Sequence, residues 1–398
     1  MRLIARLATA TLIALAPAPA GTASAAAPEP TPVPLKTAAN AVPGRYIVTL
    51  EKDQDAAKVA QRLGLKPSFL YSSALNGFAV PLTPLQLTIV RNSPGVTAVE
   101  EDAKVRSVPK PSRTGATRAP AASWGLDRID QRAWDRASGR GDGQFTTQGN
   151  GSGVTAYILD TGIDYGHEEF AGRATLGFDA VGDGRGGADC NGHGTHVAGT
   201  VGGSTYGVAK KANLVSVRVL GCDGQGTYSG IVAGLDWVAR NAVRPAVLNA
   251  SFGGDRSDAL NGAADAVTAA GVLPVVAAGN SSKDACTVSP ASASKVLTVA
   301  ASNKWDEETS FSNYGACVSI HAPGEQVVSA QLGGGSVALD GTSMASPHVA
   351  GVAALYQQAN PKAAPEDIAA WLVEESTKDV LSSLSKSSPN ALLFTGGL

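Results

Sequence analysis

The stretch VTAYILD, residues 154–160, is an apolar run that ends on an aspartate. Further apolar runs of strand length lie at 214–220, 246–251, 271–278 and 296–302. Helical stretches, such as those at 229–242 and 258–271, separate several of these runs. Continuous apolar strands that alternate with helices are typical of a parallel sheet with both faces covered. The sequence therefore predicts an α/β, doubly wound domain with a mostly parallel sheet and helices on both faces.

Composition and charge limit the classes of function. Of the 398 residues, 43% are hydrophobic, which is enough for a large buried core. The formal net charge of −2 creates no strong field that would attract nucleic acid or an anionic membrane surface. We therefore expect neither nucleic acid nor a membrane as a partner.

The first 25 residues have the features of an export signal. Arg2 and Arg6 precede a short apolar run at 7–16, and Ala23-Ser24-Ala25 fits an A-x-A cleavage site. The run is too short to span a bilayer. An uncleaved anchor or a disordered Ala-rich tail is the alternative. The signal peptide, 1–25, predicts a secreted, extracellular product.

Two further segments precede the α/β domain. Residues 26–41 are rich in Ala, Pro and Thr, which indicates a linker. Residues 42–108 show the pattern β-α-β-α-β and predict a small α+β unit with one sheet, of ferredoxin-like type. Residues 109–123 have no periodicity and indicate an exposed linker that is open to proteolysis.

Four cysteines fit an exported chain, because disulfides persist outside the cell. They permit three connectivities, of which sequential pairing would close two loops of similar length. Zinc binding is the alternative, although the chain contains no C-x-x-C pair.

Polar residues that could carry chemistry follow the apolar runs. Ligands of open α/β sheets bind outside the carboxyl ends of the strands, where Asp160 is expected. His193 stands between two glycines at a predicted helix start, with His196 three residues later. The H-x-x-H pair could bind a metal, but the H-E-x-x-H motif is absent and a hydrogen-bonding role for His196 is favoured.

Ser343, in GTSMASPHVAG (341–351), is the candidate nucleophile. A serine hydroxyl needs a base, which His193 could supply, and an acid that orients the base, which Asp160 could supply. Asn280 ends the stretch AAGN (277–280) after another apolar strand, so its amide could face a developing oxyanion.

Three blocks carry a resemblance to a known family. ILDTGID (158–164), NGHGTHVAG (191–199) and GTSMASPHVAG resemble the signature blocks of the subtilases, in that family's order. WGLDRIDQR (124–132) is similar to the mature start of the proteinase K and aqualysin branch. The resemblance implies a subtilisin-like fold over residues 117–398. It further implies a catalytic triad of Asp160, His193 and Ser343, with Asn280 and the Ser343 backbone N–H as oxyanion donors.

The resemblance also implies a substrate cleft whose two edges would pair with an extended peptide. Its residues would be Gly224, Gln225, Gly226, Tyr228, Ser251, Phe252, Gly253, Ala277, Ala278 and Gly279. These stretches carry no charged residue, so broad cleavage after apolar or aromatic residues is expected.

The same resemblance implies the processing scheme and the cysteine pairing. Residues 42–108 resemble the inhibitor-type propeptide of secreted subtilases, residues 109–116 would be a processing linker, and maturation would occur near residue 117. An independent adhesion or spacer domain is the alternative for 42–108. The cysteine positions imply the disulfides Cys190–Cys222 and Cys286–Cys317.

Structural calcium is implied by the related enzymes. Asp127, Asp130 and Gln131 match an oxygen-rich site of the aqualysin-like members, and such ligands suit a hard cation. A solvated polar turn is the alternative. Ser319 stands where the relatives have a calcium-binding Asp, so a second site near Ser294 and Val296 is not expected.

Two rival functions remain at this point. An α/β-hydrolase esterase uses G-x-S-x-G, but the residues around Ser343 end in Ala345 and the order of the three polar residues is reversed. A catalytically inactive relative would only bind peptides. The preferred function is a secreted, monomeric serine endopeptidase that is made as a self-processing zymogen, with protein and peptide substrates and no catalytic metal.

Overall fold

The computed structural model describes residues 31–107 and 123–398. The predicted signal peptide, the processing linker 109–116 and the predicted cut near residue 117 lie outside the described residues. Within the described ranges, no helix combines the length and the apolar character that crossing a bilayer requires.

The N-terminal unit consists of five strands and two helices within residues 31–107. Its strands are β1 (Leu35–Lys36), β2 (Ala41–Leu50), β3 (Phe69–Tyr71), β4 (Gly77–Pro81) and β5 (Val96–Ser107). Its helices are α1 (Ala56–Arg62) and α2 (Pro84–Arg91). Thr83 and Gln86 form a capping box at the start of α2, which explains why that helix begins at Pro84.

The strands form an antiparallel sheet in the order β5-β2-β4-β3, with β1 added parallel to β5. The prediction of a small, ferredoxin-like α+β unit is confirmed, but its element order needs a correction. The pattern is β-α-β-β-α-β, because Phe69–Tyr71 forms a strand of three residues, too short for a visible alternation. The predicted linker 26–41 also includes β1, which pairs with β5.

The main unit continues the numbering. Its helices are α3 (Trp124–Ile129), α4 (His193–Gly202), α5 (Tyr228–Asn241), α6 (Asp258–Ala269), α7 (Thr342–Ala359) and α8 (Pro365–Glu375). Its first strands are β6 (Thr155–Asp160), β7 (Ala174–Asp179), β8 (Asn213–Arg218), β9 (Gln225–Thr227), β10 (Ala246–Ala250), β11 (Phe252–Asp255) and β12 (Leu273–Ala277). The remaining strands are β13 (Val288–Ser289), β14 (Leu297–Ser302), β15 (Ile320–Pro323), β16 (Val327–Ala330), β17 (Ser336–Leu339), β18 (Thr377–Lys378) and β19 (Ala391–Leu392).

Nine of these strands form the central sheet in the order β18-β19-β15-β14-β12-β10-β6-β8-β7. All neighbouring pairs are parallel except β18 with β19. The predicted doubly wound, mostly parallel sheet is therefore confirmed.

Both faces of the sheet are apolar, as β6 illustrates. Ala156 and Ile158 pack into a core with residues of α4 and α7, whereas Tyr157 and Leu159 pack into a second core with residues of α5 and α6. Because side chains alternate between the faces of a strand, an uninterrupted apolar run is buried on both sides. The polar residues that end such strands therefore lie at the carboxyl edge of the sheet.

Two disulfides link loops of the main unit. Cys190 pairs with Cys222, and Cys286 pairs with Cys317, with Cα–Cα distances of 4.9 and 5.2 Å. These are the pairings that the cysteine positions implied. No free cysteine remains in the described part of the chain, so the zinc alternative loses its thiolate ligands.

Candidate active site

The carboxyl end of β6 brings two of the predicted residues to one place. In the ladder between β6 and β10, Ala250 lies opposite Leu159. The next residues along these strands, Ser251 and Asp160, are therefore neighbours across adjacent strands, which lie about 5 Å apart. Both side chains are fully buried.

His193, the first residue of α4, reaches Asp160 directly. Its ring Nδ1 lies 2.7 Å from Asp160 Oδ1, and both side chains are at most 2% exposed. A carboxylate can only accept, so Nδ1 carries the proton and Nε2 has the free lone pair. Nε2 is buried and has no hydrogen-bond partner among the described residues. The imidazole is thus held in the tautomer that a general base requires.

Ser343 is held next to this pair by its own helix and by Ser251. Pro347 has no N–H, so the Ser343 carbonyl in α7 lacks the usual helical donor four residues later. Ser251 Oγ donates to that carbonyl at 2.9 Å, and Ser343 Oγ donates to the Ser251 carbonyl at 3.0 Å. The structure therefore places Ser343 and Asp160 both next to Ser251.

Asn280 is oriented by a residue that the sequence analysis did not single out. Its Oδ1 accepts from the N–H and the hydroxyl of Thr342, at 2.9 and 2.8 Å. Because the oxygen side of the amide faces Thr342, the NH₂ group faces the other way. Thr342 lies inside the motif GTSMASPHVAG, so its position one residue before Ser343 was the available signal.

Asn313 is a second residue that the sequence analysis missed. Its Nδ2 donates to the Ala278 carbonyl at 2.8 Å, and its Oδ1 accepts from the N–H groups of Ser281 and Lys283. Gly279 has φ +105, and a Cβ there would lie 2.4 Å from Asn313 Nδ2. Asn313 thus supports the turn that carries Asn280, and only glycine allows its close approach.

His196 does not join the Asp160–His193 pair. Its ring Nε2 lies 3.1 Å from two carbonyl oxygens, those of Val327 and Val337, in the hairpin of β16 and β17. Burial, together with the nearby His193, lowers the pKa of His196 to about 3, so the ring is neutral. These contacts agree with the predicted hydrogen-bonding role.

The predicted cleft strands lie on either side of the C-terminal part of β5. β9 pairs antiparallel with β5, with Gln225 opposite Arg106, and β11 pairs with it on the other side, with Phe252 opposite Ser107. The Ser107 N–H also donates to the Gly224 carbonyl at 2.9 Å. An extended segment of the chain itself therefore occupies the place that the sequence analysis assigned to a peptide.

The side chains of this segment alternate between exposed and buried positions, with Val105 buried between the exposed Lys104 and Arg106. Val105 is 1% exposed and packs in one apolar cluster with Tyr228 and Phe252. Next to it, Gly253, Gly254, Gly279, Asn280 and Val288 belong to the lining of a cavity of about 400 Å³.

The lining of this cavity also contains charged side chains, among them Lys104 and Arg106 of β5. Asp255 and Lys283 belong to it and form an exposed ion pair at 3.7 Å. Sequence reasoning missed them because they lie outside the three stretches that it considered.

The predicted calcium ligands cluster at the end of α3. Asp127 accepts from the N–H groups of Gly141 and Gly143, and its Oδ1 lies 2.6 Å from Gln131 Nε2. The Asp130 Oδ1 atom is buried without a hydrogen-bond partner among the described residues.

Burial, with Asp142 and Asp127 nearby, raises the pKa of Asp130 to about 6. A buried carboxylate oxygen without a donor and beside other carboxylates suits a cation. Turning the Gln131 amide by half a turn would present its oxygen to the same cluster. At Ser319, where no second calcium site is expected, the hydroxyl accepts from the Thr298 N–H at 3.2 Å.

Comparison with known proteins identifies the family. Residues 151–393 match the model of the Subtilase family, and this range is more than half of the chain. The chain is a member of the subtilase family. Residues 45–107 match a second model, described as Peptidase inhibitor I9. The predicted membership, the serine peptidase class and the inhibitor-type propeptide are thereby confirmed.

Similar proteins agree with this assignment. An extracellular serine proteinase of Thermus sp. (strain Rt41A) is 43% identical over 90% of this chain and 91% of its own length. A cuticle-degrading protease of Metarhizium anisopliae is 39% identical, with coverage of 90% and 91%. The crystal structure of a cold adapted subtilisin-like serine proteinase has a TM-score of 0.67 and 48% identity, and covers 69% of this chain and 98% of that one.

The subtilase propeptide contacts the main unit at helix α5 as well as in the cleft. Asp236 of α5 is fully buried, and its Oδ1 accepts from three propeptide N–H groups, those of Ser72, Ser73 and Ala74, at 2.6–3.0 Å. The propeptide residue Asp102 accepts from the N–H and hydroxyl of Ser229 in the first turn of the same helix. Buried acceptors of this kind contribute more than exposed ion pairs.

We expect Asp236→Ala to weaken the hold of the propeptide on the processed enzyme. Loss of the buried acceptor costs about 1–3 kcal/mol, or roughly a 5- to 150-fold faster release. The measurement is the lag between the processing cut, seen by electrophoresis, and full peptide hydrolysis. Asp258→Ala is the matched control, since it removes an exposed pair with Lys36 and should change the lag only slightly. Equal lags in both variants would contradict the expectation.

Proposed function

We propose that this subtilase is a secreted, monomeric serine endopeptidase of broad specificity, made as a zymogen that processes itself. One observation carries the proposal: the buried Asp160–His193 hydrogen bond of 2.7 Å lies beside Ser343, at the edge of a cleft that already holds an extended segment of the chain. The extracellular relative and the apolar run near the N-terminus support secretion.

In the proposed mechanism, Ser343 Oγ attacks the scissile carbonyl while His193 Nε2 accepts its proton. Asp160 keeps the imidazole in the Nδ1-H tautomer and stabilises the imidazolium that forms. His193 then gives the proton to the leaving amine, and water releases the acyl group by the same steps in reverse. The tautomer assigned above is the one that this sequence of proton transfers requires.

Asn280 and the Ser343 backbone N–H are the proposed donors to the tetrahedral oxyanion. Thr342 holds the oxygen side of the Asn280 amide, so the NH₂ side needs no reorientation during the reaction. A side-chain donor of this kind contributes about 3–4 kcal/mol, a magnitude that was measured on a subtilisin.

Backbone pairing is the proposed source of broad specificity. The strands β9 and β11 hold the propeptide segment through ladder hydrogen bonds, which any extended peptide can form. Apolar preference would come from pockets such as the one that holds Val105 and from the small residues around Gly253 and Gly279. Asp255 and Lys283 neutralise each other at the pocket, so they add no preference for charge.

The proposed domains are the signal peptide 1–25, the linker 26–41, the propeptide 42–108, the processing linker 109–116 and the catalytic domain 117–398. The Ser107 N–H donates to the Gly224 carbonyl, and Phe252 lies opposite Ser107 in the sheet. Phe252 directly follows Ser251, whose carbonyl accepts from the Ser343 hydroxyl. The end of β5 therefore lies close to Ser343. We infer that a first cut falls shortly after Ser107 and that trimming produces the start near residue 117.

We expect Ser343→Ala to remain an unprocessed precursor of residues 26–398, whereas the wild type matures. The alanine variant has no hydroxyl for the acyl transfer but keeps the hydrogen bond from the Ser251 hydroxyl to the carbonyl of residue 343. Mass spectrometry of the secreted chains gives the ends, and an early wild-type fragment should end shortly after Ser107. A mature form of Ser343→Ala would exclude self-processing by Ser343.

A fluorophosphonate probe separates the proposal from its rivals. The wild type should be labelled on Ser343, whereas a module that only binds peptides should not be labelled. Casein hydrolysis without preference for short-chain esters distinguishes a protease from an esterase.

A peptide library should show apolar and aromatic residues before the cut. Once Lys104 and Arg106 leave with the propeptide, small residues and the internally neutralised pair Asp255–Lys283 remain in the lining of the cavity. Asp255→Ala, which leaves Lys283 unpaired, should add a preference for acidic residues at the pocket. A wild-type profile dominated by Lys or Arg would refute the proposed specificity.

We further propose that calcium binds at Asp127, Asp130 and Gln131 and stabilises the turn at the end of α3. The buried, unpartnered Oδ1 of Asp130 supports this site. At Ser319, a hydroxyl engaged by a backbone N–H offers a weaker ligand than a carboxylate, so no second site is proposed there.

Removal of calcium by a chelator is expected to lower the melting temperature of the wild type by about 5–10 °C. Binding at 100 times the dissociation constant contributes about 2.7 kcal/mol, and this contribution is lost with the ion. Asp130→Asn should remove most of the shift, and Glu374→Ala, at an exposed position, should keep it. An unchanged wild-type melting temperature would remove structural calcium from the account.

A further inference from the structure

The segment that leads from β7 to the helix α4, where His193 lies, contains a second buried carboxylate, that of Asp189. Asp189 is only 8% exposed. The side chain accepts five hydrogen bonds at 2.6–3.0 Å: from the N–H groups of Asn191, Gly192 and Thr195 and from the hydroxyls of Thr161 and Thr195. Nothing in the mechanism above uses this group.

Asp189 and its partners complete the hydrogen bonds at the start of α4. The first N–H groups of a helix have no acceptor within the helix, and Gly192, at the cap position, has no side chain to offer. Here the His193 N–H donates to Asn191 Oδ1, the Gly194 N–H to Thr161 Oγ1, and the Thr195 N–H to Asp189 Oδ2. The negative charge of Asp189 also suits the positive end of the helix dipole.

Thr161 connects this cap to Asp160. Its N–H donates to Asp160 Oδ1 at 2.7 Å, its hydroxyl donates to Asp189 and accepts from Gly194, and its carbonyl accepts from Arg218 Nε at 3.1 Å. All three polar groups of a fully buried threonine are therefore engaged. Asp160 Oδ1 is the same atom that accepts from His193 Nδ1.

We propose that Thr161 and Asp189 are positioning residues, which hold the backbone of His193 at a constant distance from Asp160. The inference rests on the proposed roles of Asp160 and His193. A displacement of α4 by a fraction of an ångström would change the direction of the Nδ1–Oδ1 hydrogen bond and of the Nε2 lone pair. Because Thr161 is fully buried and Asp189 is 8% exposed, we expect no direct contact with a substrate, and the effect should fall on kcat and not on KM.

The experiment compares three variants of the full-length zymogen after maturation. Thr161→Val removes the hydroxyl but keeps the shape, and Thr161→Ser restores the hydroxyl. Thr200→Val is the matched control. Thr200 lies in α4, the helix that begins at His193, and is 1% exposed; within the described residues its hydroxyl donates to the His196 carbonyl of that helix. Peptide hydrolysis is normalised to the active sites that a fluorophosphonate probe titrates.

We expect Thr161→Val to lower kcat about 10- to 100-fold with KM changed less than twofold. Thr161→Ser and Thr200→Val should keep kcat within about threefold of the wild type. The proposal would be overturned by an unchanged kcat in Thr161→Val. It would also be overturned if the lower activity of Thr161→Val came entirely from fewer titrated sites, or if Thr200→Val lost as much kcat. An inactive, unlabelled wild type would instead overturn the proposed function.

Asp189→Asn serves if Thr161→Val does not fold. It keeps the shape and one acceptor oxygen, but its NH₂ group faces the Thr195 N–H, which loses its acceptor. The expected result is again a lower kcat per titrated site with KM nearly constant. Wild-type kcat in this variant would show that the cap does not position His193.

Discussion

The parallel pairing of β6 with β8 on one side and β10 on the other is the constraint on which the site depends. The two ladders place Asp160 beside Arg218 and next to Ser251, at the edge where the strands end. The apolar residues of β6 face two cores, so a shift by one residue would exchange Tyr157 and Ile158 between them. The packing of both faces thereby determines the position of the Asp160 carboxylate, which belongs to neither core.

Hydrogen bonds between distant loops maintain the geometry at that edge. Pro347 leaves the Ser343 carbonyl without a helical donor, and Ser251 supplies one. The Thr342 N–H donates to Asn280 Oδ1, and the Thr161 hydroxyl accepts from the Gly194 N–H at the start of α4. Because buried polar groups without partners are costly, each of these contacts also stabilises the fold. The same bonds that satisfy the backbone therefore hold the proposed catalytic residues in place before a substrate arrives.

The propeptide uses the recognition that we propose for substrates. Its last described strand, β5, completes a sheet between β9 and β11, and its body rests on α5 through buried carboxylates. Backbone pairing requires only an extended chain, whereas the contacts of Asp236 and Asp102 require the folded propeptide. A cut after β5 would therefore leave the segment held by both kinds of contact, so we expect release to be slower than cleavage.

The sequence by itself determined the alternation of buried strands and helices, the family, and the identity of Asp160, His193 and Ser343 as candidates, because apolar periodicity and short motifs are local patterns. It did not reveal the strand Phe69–Tyr71, which is too short for a period. It also did not reveal the supporting residues Thr161 and Asp189, although both lie in or beside quoted motifs. Only the tertiary structure revealed the contacts of Thr161 and Asp189. A hydrogen bond between residues far apart in the chain depends on how helices and strands pack, so it leaves no periodic pattern in the sequence.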